Sequence, residues 1–128
     1  MNRAILLLAT ALLAAPAGAQ APAAPPRAEG EAQALSLEHR MLLRCSAAFA
    51  LMAHRQSTGD PAALALPPLQ DRGQEFFVRA SARVIDEAGL DREAIVAALT
   101  AEALELQEGD ALERVMPACL SALEAAGL

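Results

Sequence analysis

Hydrophobic residues recur along most of this chain at intervals of three and four, the spacing that gives a helix one apolar side. In the first such stretch Leu42, Cys45, Phe49 and Met52 follow one another at three, four and three positions, and Met41 and Ala48 widen the stripe. Ser36, with Glu38 in the first turn, marks its start. The helix should run to about Ser57, where His54 and Arg55 suit the negative end and Gly59 breaks the path. Asp60-Pro61 reads as a cap followed by proline at the first helical position, opening a short helix that Pro67-Pro68 must end. A long helix then starts between Pro68 and Asp71 and stops at Ala88 before Gly89. Its stripe is Leu69, Gly73, Phe76, Phe77, Ala80, Val84 and Ala88, and Glu75 stands four residues before Arg79 on the flank.

Asp91 caps a fourth helix from about Arg92 to Leu106, with Ile95, Leu99 and Leu106 inward. Gly109-Asp110 ends it and caps the last helix, roughly Ala111 to Ala126, whose inward side is Leu112, Val115, Met116, Cys119 and Leu123. Pro117 lies within that helix and lacks a backbone donor, so a kink or a restart is expected there. No β-type alternation and no repeat period competes. The pattern predicts an all-α fold over residues 35–128, a small bundle of four main helices plus a short one.

The first 34 residues follow different rules. Arg3 and the amino terminus precede an apolar run from Ala4 to Ala15, Pro16 breaks the run, and Ala17-Gly18-Ala19 offers small residues for a signal peptidase. Such a run rises about 18 Å as a helix, against a bilayer core of about 30 Å. Residues 1–19 therefore read as a cleaved secretory leader rather than an anchor, and no membrane span is expected after cleavage. Residues 20–34, with Pro22, Pro25 and Pro26, lack large apolar groups and read as a disordered Ala/Pro-rich linker. The expected location is the periplasm or the exterior.

Composition narrows the partners. The chain is acidic, with formal charge −6 and pI near 4.8, and its arginines form no cluster larger than the pairs Arg40/Arg44 and Arg79/Arg83. Nucleic acid and anionic lipid surfaces are therefore poor partners. Aromatics amount to Phe49, Phe76 and Phe77, so a core built mostly of small aliphatics would be marginal without further support.

Export supplies a candidate for that support. Cys45 and Cys119 lie on the apolar stripes of the first and last helices, and two cysteines in an oxidising compartment normally pair. A bridge between them encloses 73 residues, for which the chain-entropy argument gives about 4 kcal/mol. Without a Cys-x-x-Cys spacing, redox chemistry is not expected.

No motif carries chemistry, and no cofactor is expected. His39 and His54 are separated by about 22 Å along one helix and cannot share a metal; both read as solvated surface groups. The carboxylate pairs, including Asp86-Glu87 and Glu102, Glu105 with Glu108, read as solvated faces. The serines lack a nucleophile-elbow setting. A mid-helix Gly73 would cost about 1 kcal/mol relative to alanine, which suggests close approach of another helix over Ala48 or a similar small residue. A helix starting at Asp71, capped by Asp71 with Gln74, accounts for Gly73 equally well.

Phe76-Phe77 is the remaining feature. Adjacent helical residues point about 100° apart, so a wide stripe buries both, whereas a narrow one leaves one of them lining an apolar groove. The expected function is that of an exported, non-enzymatic binding or structural module for an unidentified protein or small apolar ligand. The alternative is a periplasmic stress chaperone that exposes an apolar helix face in acid. In size, export and a single long-range bridge the chain is similar to small disulfide-clamped acid-stress chaperones, a likeness that rests on no shared motif.

Overall fold

A computed structural model describes residues 35–128; residues 1–19 and 20–34, expected to be a leader and a linker, lie outside the described residues. Five helices and no strand are found there: α1 Leu37–Ser57, α2 Pro61–Leu64, α3 Gln70–Ala88, α4 Arg92–Leu106 and α5 Ala111–Ala125. Most helix ends follow from local chemistry. The Ser36 hydroxyl accepts from the His39 N–H, Asp60 accepts from Ala62 and Ala63, and Asp91 accepts from Ala94, each satisfying donors of a first turn. Gly89 ends α3 at φ 64°, a left-handed conformation that glycine adopts without the steric penalty of a Cβ.

One end departs from expectation and another is narrowed within the expected range. Asp110 precedes α5 but makes no side-chain cap; its carboxylate is held by Arg114 one turn on. α3 begins at Gln70, so the Asp71 start is not used, and the buried Leu69 occupies the cap position with its N–H donated to the Gln56 side chain. α5 runs through Pro117 as one helix without a restart, with the proline ring on its exposed side.

α1 is the central element and touches all four other helices. The main core gathers Phe49, Met52, Leu69, Phe76, Leu106, Leu112, Met116 and Leu123 around it; a second cluster of Leu43, Val84 and Ile95 closes the other end. This position corrects the single-stripe picture of α1. Met41 is exposed and Leu42 only half-buried, while Leu43, Ser46 and Ala47 are buried, because α4 covers a flank of α1 that one stripe does not include. Val115, Leu99 and Ala88 likewise lie at the margin of the core, half-buried.

The cysteines meet as expected. Their sulfurs lie 2.11 Å apart, at bonding distance, and tie the middle of α1 to the second half of α5. Both residues are essentially inaccessible, at 1% and 0% exposure.

Candidate functional site

Local packing between α1 and α3 creates a concave surface. A side chain at Gly73 would place its Cβ 2.8 Å from the Phe49 Cβ, so glycine is what lets the two helices approach here. The close approach is over Phe49 rather than Ala48. Phe49 and Phe76 then meet edge to face, centroids 5.2 Å apart at 88°, an arrangement that suits the ring quadrupoles.

With Phe76 committed to the core at 4% exposure, helical geometry swings Phe77 to the flank, where it is 39% exposed. Of the two alternatives, both rings buried or one at a groove, the division of roles is the one found, and only Phe77 of the two candidates lies at this groove. Phe77 forms one wall of a groove of about 440 Å³, whose floor and rim include Ala50, Ala53 and His54 from α1 with Gln70 and Gln74 from α3. Phe76 does not line it; its ring borders a separate hollow of about 150 Å³ with Leu42, Arg79 and Arg83. No arginine or carboxylate lines the Phe77 groove, in a chain where one residue in five is charged. A pocket of this size and apolar lining is within the range of binding sites.

Polar groups missed by sequence reasoning tie α1 to its neighbours away from the groove. Glu102 is buried on α4 and accepts from Arg44 at 2.8 Å, with Arg40 at 3.7 Å, rather than lying on a solvated face. Glu105 receives the same Arg44 at 3.0 Å, and these carboxylates raise the Arg44 pKa further. His39 is not a free surface histidine either: its ring nitrogen meets Glu87 at 2.8 Å and its side chain is 13% exposed. Glu87 also accepts from Arg83, which reaches Glu38 on α1. His39 first, then Arg83, hold the Glu87 carboxyl below its ordinary pKa. Arg55, paired at 2.5 Å, does the same for Glu113 on α5.

Gln56 is the hub of the α2 region. Its amide donates to the carbonyls of Ala63 and Pro67 at 3.0 and 2.9 Å, and its oxygen accepts from Leu69 at 3.0 Å. A signal for both missed residues was present. Gln56 continues the Cys45, Phe49, Met52 stripe by four positions, and Glu102 falls between Leu99 and Leu106 on the inward side of α4. A polar residue on an apolar stripe is the informative exception.

His54 stands at the groove rim, away from His39 and its partners. Among the described residues no three metal-ligating side chains gather at one place. The chain matches no family model, no curated protein and no solved structure, so its own geometry carries the functional reading.

Proposed function

We propose that this chain is an exported, non-enzymatic module that binds the apolar side of a helical protein segment across the α1–α3 face. The leader pattern of residues 1–19 and the bonded cysteines support export; no described helix is long and apolar enough to cross a membrane. The observation that carries the binding role is the groove, lined by no arginine or carboxylate and walled by the exposed Phe77. A helix laid in such a groove gains affinity from apolar anchors rather than from charge. Titration with an environment-sensitive apolar dye tests it. Native protein should bind the dye, and Phe77→Ala should weaken binding about tenfold, equivalent to about 1.4 kcal/mol. Absence of native binding would remove the reading.

A second reading as an acid-activated chaperone is favoured by one observation: α1 is tied to α3 and α5 through carboxylates. Glu87 and Glu113 have lowered pKa values, so their stabilisation is present above the unfolded-state glutamate pKa and is lost as pH falls through the folded values. Suppression of client aggregation at about pH 3, below the reference glutamate range, would support this reading; a simple binding module gives no protection there.

A further inference from the structure

We infer that the hollow between α1, α2 and α5 is a site for a free aliphatic α-amino acid, with the ligand's side chain inside and its two charged groups on Arg55 and Glu113. The hollow is separate from the α1–α3 groove and shares no lining residue with it.

Packing explains the space. α2 and α5 each lie against α1 but not against one another, and a cavity of about 200 Å³ remains between them. Its apolar walls are Met52, Ala62, Ala63, Leu66, Met116 and Leu120. Pockets for drug-sized ligands run to roughly 300–1,000 Å³, so this one limits its occupant to about one aliphatic side chain with its α-carbon. The flexible thioethers of Met52 and Met116 can adjust to such a guest.

Arg55 and Glu113 stand at the rim with opposite charges. They meet through Nη1 and Oε1 at 2.5 Å, which leaves the other guanidinium N–H groups and Oε2 without a second side-chain partner among the described residues. Arg55 holds the Glu113 carboxyl below its ordinary pKa, so the carboxylate is ionised at neutral pH. A ligand with one charge meets one attraction and one repulsion here, whereas a zwitterion meets an attraction at each end. An α-amino acid carries both charges beside its side chain.

Pro117 adds an acceptor. It lines the same cavity and has no N–H, so the Glu113 carbonyl lacks its usual donor one turn on. A ligand ammonium has three N–H donors, enough for the carboxylate and this carbonyl together. Proline inside a helix is unfavourable, yet α5 runs through it; the freed carbonyl gives that residue a use.

The test is calorimetric titration of the exported chain with leucine and with analogues that each lack one part: leucinamide has no carboxylate, isocaproate no ammonium and glycine no side chain. Leucine should bind once per chain, and each analogue about tenfold more weakly. Arg55→Gln and Glu113→Gln should each weaken leucine by about tenfold. Because both also break the tie between α1 and α5, Ala62→Leu provides a variant that keeps the ion pair and fills the hollow; it should abolish binding without lowering Tm. Pro117→Ala restores a donor to the Glu113 carbonyl, so it should raise Tm yet weaken leucine about fivefold, the worth of one hydrogen bond. No binding of leucine at millimolar concentration overturns the proposal. Equal affinity for leucinamide or isocaproate overturns the zwitterion assignment, and equal affinity for glycine overturns the role of the hollow. Leucine binding that survives Ala62→Leu overturns the assigned site.

Discussion

The two flanks of α1 are held to their neighbours by different means. Toward α4 and α5 the contacts are specific and polar at their edges: Arg44 on Glu102 and Glu105, Arg55 on Glu113, and the cysteine bridge within the core. Toward the first half of α3 the contact is close but apolar, set by Gly73 on Phe49 and by the Phe49–Phe76 pair, and the exposed margin above it carries no arginine or carboxylate. Ion pairs need defined partners and so fix how helices sit. An uncharged margin has no such requirement and stays available to an external surface. α1 thus has a clamped side, which supports the fold, and an open side, which can act.

Breaking the clamp should have the largest effect. Reduction under denaturing conditions, or paired Cys45→Ala and Cys119→Ala substitutions, should lower stability by about 4 kcal/mol, read as a fall in the denaturant midpoint. Phe76→Ala comes next, at about 3–5 kcal/mol for removal of a buried aromatic, while Phe77→Ala next to it should change stability by under about 1 kcal/mol, since the ring is already partly in water. Equal losses for the two phenylalanines would erase the distinction between core and groove. Glu102→Ala should destabilise by about 1–2 kcal/mol, because it leaves Arg44, about a quarter exposed, with only Glu105.

The smallest expected effect is on the pH profile. As the pH falls below the ordinary glutamate range, protonation of Glu87 and Glu113 should weaken the ties of α1 to α3 and α5 and lower Tm. Glu87→Gln with Glu113→Gln should flatten that acid limb and leave dye binding at neutral pH unchanged. A limb of unchanged steepness would show that other carboxylates govern the acid response.

Much of the site was written on helix stripes, but only as candidates. The pairing of Phe76 and Phe77 at adjacent positions implies that a narrow stripe divides them, yet the pattern does not say which ring goes inside. That choice depends on Phe49 lying below Gly73, a contact between different helices. Glu102 and Gln56 were legible as polar residues on apolar stripes, but not as paired ones. Their partners include Arg44, 58 positions from Glu102, and the N–H of Leu69. Met41 was misplaced for a related reason: a stripe assumes one covered side, and α1 is covered on several.

What the amino-acid order determined by itself is the all-helical class, most of the helix ends and the pair of cysteines fit to bridge. Caps at Ser36, Asp60 and Asp91 and the turn at Gly89 satisfy backbone groups within a few residues, so local chemistry is enough to place them. Only the tertiary structure decided that α1 is central, that Glu102 and His39 are paired, and that Phe77 rather than Phe76 reaches the surface. Burial depends on which distant segments arrive as neighbours, and a side chain's own periodicity carries no record of them.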